Sequence, residues 1–153
     1  MPVISRLTMQ PDLRTLYELW GKVKGANKVP QLAKIPVERL RDWLPNLAII
    51  AIRQGNDYVY RYYGQTFVET FGVDMTGLNL DSLPASQRTI LEHEYEYVRS
   101  RSKPTWRIYS GEFFGEIMTY ERLILPFAKQ NDVVSTLMVA AYEVKNDGLF
   151  DIH

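Results

Sequence analysis

Between Leu47 and Leu83 the chain changes pattern three times, and that succession restricts its fold more than any other stretch. Residues 47–53 form an almost unbroken apolar run, which suits a strand covered on both faces. Residues 54–57 supply a Gly-containing polar turn and residues 58–63 a second strand, so the two read as a hairpin. Alternation places Tyr58, Tyr60 and Tyr62 on one face and Val59, Arg61 and Tyr63 on the other. Residues 65–71 then take helical spacing, with Phe67 and Phe71 one turn apart, and Gly72 and Gly77 permit turns that side chains resist. A hairpin followed at once by short helices can enclose a ligand-sized space.

The flanking segments extend this into an α+β pattern. Gln10–Pro11–Asp12 reads as a helix start, and Leu13, Leu16, Tyr17, Trp20 and Val23 recur at three and four as one apolar face, stopped by Gly25. An extended connector with Pro30 follows, then a second short helix from Pro36 that buries Leu40, Trp43 and Leu44 and ends at Pro45. A long helix is expected over residues 85–101, its inward side marked by Ile90, Leu91, Glu94, Tyr97 and Val98. Three strands complete the order, over 105–110, 119–128 and 133–143, with Asn131–Asp132 as the turn of the last hairpin. The expected division is a helical extension (1–45), a sheet domain (46–144) and a tail (145–153), folding as one unit. The tail has turn composition, with Leu149 and Phe150 as its means of loose packing.

Composition narrows the chemistry. At 153 residues a core forms without cross-links. Eighteen basic residues balance eighteen acidic ones, which leaves no field to attract nucleic acid, and the cations of residues 99–103 read as a helix end. Cysteine is absent, which excludes disulfides, thiolate nucleophiles, iron–sulfur clusters and a covalent cysteinyl flavin. The first ten residues lack a signal pattern, and no apolar window approaches the roughly 18 residues that span a bilayer. These features predict a soluble cytoplasmic protein without a membrane partner.

Several ordered motifs carry a resemblance. Tyr17 and Trp20 are followed by Val29–Pro30, Ile35–Pro36 and Leu44–Pro45. Then come Tyr60–Arg61–Tyr62–Tyr63–Gly64, Phe71–Gly72, Thr76–Gly77 and Glu121–Arg122–Leu123–Ile124–Leu125–Pro126. Over about residues 13–142 this order resembles a subfamily of short stand-alone bacterial PAS proteins. The resemblance implies a five-stranded antiparallel sheet with helices over one face and an N-terminal helical extension. It also implies a space between helices and sheet that in PAS domains takes haem, flavins, small metabolites or a partner protein. It fixes no cofactor ligand.

The candidate site residues follow from placing side chains on these elements. Tyr58, Tyr60, Tyr62, Phe67, Phe71, Tyr97 and Trp106 surround the expected space, as a packed core or as the walls of a cavity. Of the strand arginines Arg61, Arg107 and Arg122, the last alternates with Glu121, Leu123 and Leu125. If it faces the space it offers a rigid donor fork to an anionic ligand; otherwise it makes a cross-strand ion pair. His93, the one candidate haem ligand, is crowded by Glu92, Glu94 and Glu96 and is expected on the surface, and His153 is incidental. No metal site is expected. The stripe Leu13, Leu16, Tyr17, Trp20 and Val23 either packs on its own sheet or forms a dimer face anchored by Trp20.

The expected function is a sensory module that binds a small molecule, a partner or a second copy, and transmits by contact without a catalytic output segment. The alternatives are a small enzyme using Glu94 with Tyr97 or Glu121 with Arg122, and a ligand-free adaptor. A cavity lined by Tyr60, Phe71 and Trp106 favours sensing, and a filled interior the adaptor.

Overall fold

The computed structural model describes residues 9–144, so the tail expected to pack through Leu149 and Phe150, and His153, lie outside the described residues. Helix α1 (Pro11–Lys24) leads through short 3₁₀ turns to strands β1 (Leu47–Arg53) and β2 (Asp57–Tyr63). Helices α2 (Gln65–Phe71) and α3 (Ala85–Arg101) follow, then strands β3 (Thr105–Phe113), β4 (Glu116–Ala128) and β5 (Val134–Glu143). The strands form one antiparallel sheet in the order β2-β1-β5-β4-β3.

Both faces of the sheet are covered, because β1 alternates between two apolar layers. Ala48, Ile50 and Ile52 face α2 and α3, while Leu47 and Ile49 face α1. Helices α2 and α3 thus cover one face, and the N-terminal extension, through α1, covers the other. The α1 stripe is buried on its own sheet through Leu13, Leu16, Leu19 and Trp20. The Gln10 side chain caps the helix by accepting from the Leu13 N–H at 2.9 Å. Trp20 Nε1 donates to the Pro126 carbonyl at 2.8 Å. Proline is tolerated there because β3 ends opposite Ile124 and the next pairing on that edge of β4, with Gln31, is at Ala128.

Four expectations are corrected. Along β2, Ile50 lies opposite Tyr60 but Ile49 lies opposite Tyr62, so Arg61 is the extra residue of a bulge. The bulge reverses the alternation: Tyr62 turns to the α1 side, where its hydroxyl donates to the Leu44 carbonyl at 2.8 Å, and Tyr63 takes its place under α3. The helix expected from Pro36 is instead the 3₁₀ turns Val37–Leu40 and Leu44–Asn46, with Pro45 inside the second. Neither turn has a side-chain cap, and prolines at both ends remove the donors a longer helix needs. Strands β3 and β4 run further than expected because Phe114 and Gly115, both at positive φ (53° and 82°), make a two-residue hairpin turn. In α3 the inward side is Leu91, Glu94, Tyr95 and Val98, with Ile90 half exposed.

Gly64 makes the crossing from β2 to α2 possible. A Cβ there would sit 2.3 Å from the Pro45 carbonyl oxygen, and the Gly64 N–H donates to the Leu47 carbonyl at 2.8 Å. No described helix is long and apolar enough to cross a membrane.

Candidate functional site

A cavity of about 530 Å³ lies between the sheet and the N-terminal half of α3. It exists because three inward positions on the sheet are small, namely Ala48 on β1, Ala141 on β5 and Gly111 on β3. Around that floor stand Tyr60 and Tyr63 from β2, Phe67 and Phe71 from α2, Leu91 and Tyr95 from α3, and Tyr109 and Phe113 from β3. Its volume falls within the range of small-molecule sites.

The two ends differ chemically. At one end Phe71 and Phe113 meet edge to face, ring centres 5.1 Å apart, and Phe113 also packs on Tyr120 at 5.7 Å. At the other, Arg107 and Arg122 lie directly opposite each other on β3 and β4. Two like charges so placed repel, and Glu94 of α3 lies between them. Its carboxylate accepts from Arg107 Nη1 at 3.2 Å, from Arg122 Nε at 3.2 Å, and from Arg122 Nη2. The Arg122 guanidinium also sits over the Tyr109 ring, 4.1 Å from its centre. Burial pulls Arg122 down, but the fields of Tyr109 and Glu94 outweigh it and leave the guanidinium raised and firmly charged.

Phenols fill the space between these ends. The Tyr60 and Tyr95 hydroxyls hydrogen-bond to each other at 2.9 Å. Burial pushes Tyr60 up to about 12 and Tyr95 well above its ordinary value. Tyr63 and Tyr109 are raised by burial too, so all four are neutral at physiological pH. A neutral phenol both donates and accepts.

Of the residues singled out in the sequence, the cavity brings together Tyr60, Phe67, Phe71 and Arg122. Four others are elsewhere. Tyr58 packs on Tyr95 outside the cavity lining, its hydroxyl donating to Glu96 Oε2 at 3.2 Å. Tyr62 is turned away by the bulge. Trp106 lies on the α1 face, where its Nε1 donates to Glu121 Oε1 at 2.8 Å, because odd and even residues of β3 take opposite faces. Tyr97 is rotated off the cavity side of α3 and stacks under the Arg101 guanidinium at 5.5 Å.

The pairs considered for acid–base work are also separated. Glu121 and Arg122 face opposite sides of β4, and Glu94 is bound by guanidiniums and not by Tyr97. His93 is exposed on α3, and no group of three metal-ligating side chains occurs among the described residues. In the α1 stripe, Leu13, Leu16 and Trp20 are buried against the sheet and Tyr17 and Val23 are partly covered.

Sequence reasoning missed Tyr63, Tyr95, Tyr109 and Phe113, and weighed Arg107 but preferred Arg122. The spacing of Leu91, Tyr95 and Val98 carried a signal for Tyr95. The bulge that delivers Tyr63 left none.

The profile of the PAS domain family matches residues 8–140, a span that includes α1. No curated protein sequence matches the chain. Among solved structures, it is similar to VqmA of Vibrio cholerae, described as a dimer and a LuxR-type receptor, at a TM-score of 0.59 and 13% identity over 73% of this chain and 52% of that one. It is also similar to the LOV protein of Rhodobacter sphaeroides, at 0.55 and 11% identity over 74% and 69%. A third is a sensory box sensor histidine kinase of Vibrio cholerae, at 0.50 and 18% identity over 74% and 93%. The chain spans about half the length of VqmA. At these identities the likeness is one of fold.

Proposed function

The chain belongs to the PAS domain family, and on that premise we propose that it is a sensory module that binds a small molecule in the cavity between α3 and the sheet. The observation that carries this reading is the cavity itself, with aromatic walls and, at one end, two guanidiniums that share the buried Glu94 carboxylate. A purely structural domain has no use for such a space, since filling it with apolar side chains adds stability. Two structural neighbours support the reading by their described contents, VqmA bound to DPO and a light-oxygen-voltage domain with a flavin analogue.

In this reading the protein works by binding and not by catalysis. Glu94, which holds the two arginines at the charged end of the cavity, already has guanidinium partners and is not free to act as a base. Output passes by contact to a protein partner or a second copy. The helical extension within residues 1–45 is the element that responds, since α1 packs on the reverse of the strands that floor the cavity.

Native and denaturing mass spectrometry of the purified chain tests the proposal. A mass released on denaturation supports it. A bare polypeptide mass, with no amide NMR shifts at Ala48, Gly111 and Ala141 across a library of small aromatic compounds, overturns it.

A further inference from the structure

We infer that the cavity takes a ligand with a flat apolar body and a single negative charge, and that Arg107 receives the charge. This rests on the cavity being the binding site. The sequence pointed to Arg122 as the anion receptor, but its Nε and Nη2 are both committed to Glu94 and its guanidinium is stacked over Tyr109. Arg107 is differently placed. It lines the cavity, and its one hydrogen bond among the described residues is from Nη1 to Glu94, at 3.2 Å. A guanidinium carries five N–H donors in a planar fork, so its other donors remain for a ligand. Its side chain is 37% exposed, which puts it within reach of an entering molecule, whereas Arg122 is 7% exposed.

Charge counting agrees. Two guanidiniums face one carboxylate at this end, leaving one positive charge uncompensated. The other acid at the cavity, Glu112, lies five residues along β3 from Arg107, about 17 Å away at the rise of a strand. By alternation its side chain takes the opposite face. The apolar end supplies the other half of the specificity, because the Phe71 and Phe113 rings offer faces and edges to a flat body.

Amide NMR on the full chain tests this with 2-naphthoate and 2-naphthamide, which share a ring system and differ in charge. Both are expected to shift Ala48, Gly111 and Ala141, with naphthoate binding at least about tenfold more tightly, as a charge-assisted hydrogen bond implies. Arg107→Gln should bring naphthoate to the affinity of naphthamide and leave naphthamide unchanged. Arg107→Lys should retain part of the preference. Equal affinities in the wild type, or a preference that survives Arg107→Gln, overturn the inference while the shifts at the floor keep the cavity as the site. If neither compound shifts those amides, the inference and the cavity reading fall together.

Discussion

Beneath α1 the central strands present Leu47, Leu123, Leu125, Phe127, Met138 and Ala140, each no more than 1% exposed. Beneath α3 the same strands present Ala48, Arg122 and Ala141 around an open cavity. One sheet thus carries a filled face and a hollow one, and the boundary runs between consecutive residues. Each face also buries a carboxylate, and the two are satisfied differently. Glu121, on the filled face, accepts from the Gln10 N–H at 2.7 Å and from Trp106 Nε1 at 2.8 Å, both neutral donors. Glu94, on the hollow face, is held by two cations. The first arrangement pins the start of α1 to the sheet. The second ties α3 to β3 and β4 through charge, at the place where a charged ligand would compete.

The comparison breaks most sharply if these acids prove equivalent. Glu94→Gln leaves Arg107 and Arg122 opposed without a counter-charge, and removing one partner of a buried pair costs about 3–5 kcal/mol. Glu121→Gln keeps an acceptor oxygen for both neutral donors and should cost only about 1 kcal/mol. Urea unfolding of the two variants measures the difference. Similar losses would mean that the charge on the hollow face has no special structural role.

How much of this was legible in the sequence divides along the same line. The filled face was read in part: Leu13, Leu16 and Trp20 follow helical spacing and Leu123 and Leu125 follow strand alternation. Whether the α1 stripe packs on its own sheet or on a second copy stayed open, and Tyr62 and Trp106 were placed on the other face. The order of elements was legible from the same periodicities. The hollow face was also read in part. Glu94 stood out as an acid on an apolar stripe, and Arg122 was placed with Ile124 on one side of its strand. What periodicity does not report is an interruption of itself, and the bulge at Arg61 exchanged Tyr62 for Tyr63 without a sequence mark. Nor does it report a void, since Ala48, Gly111 and Ala141 read as ordinary strand residues until their neighbours are known. Trp106 was misplaced because an aromatic signals burial without saying on which face.

Alkaline pH gives a second, smaller separation. A phenol held neutral by burial has a folded pKa above its unfolded value, near 10. Its contribution is therefore complete below pH 10 and lost as pH rises through the folded value. For Tyr60 that window runs from 10 to about 12. Tyr95 and Tyr63 act in the same direction. On the filled face Tyr142 is also raised to about 12, by burial first and then by Asp12 and Asp42, but it is only partly buried. Stability followed by urea midpoint should fall above pH 10, and Tyr60→Phe should flatten that fall more than Tyr142→Phe. The reverse order would place the strained phenols under α1.

The smallest effect separates the faces best, because it uses two neighbouring alanines on one strand. Ala140 is fully buried on the α1 side, opposite Leu47 and Leu123, and Ala141 lies on the cavity floor opposite Arg122. Enlarging Ala140 to Leu drives extra carbons into close-packed side chains, at a cost of roughly 1–3 kcal/mol. The same enlargement at Ala141 moves atoms into space already there and should leave stability within about 1 kcal/mol of the wild type. It should also abolish the shifts that 2-naphthoate and 2-naphthamide produce at Ala48 and Gly111, while Ala140→Leu leaves them in place. A large loss of stability from Ala141→Leu would show that the floor closes in solution. A small loss with ligand binding intact would show that the compounds bind elsewhere.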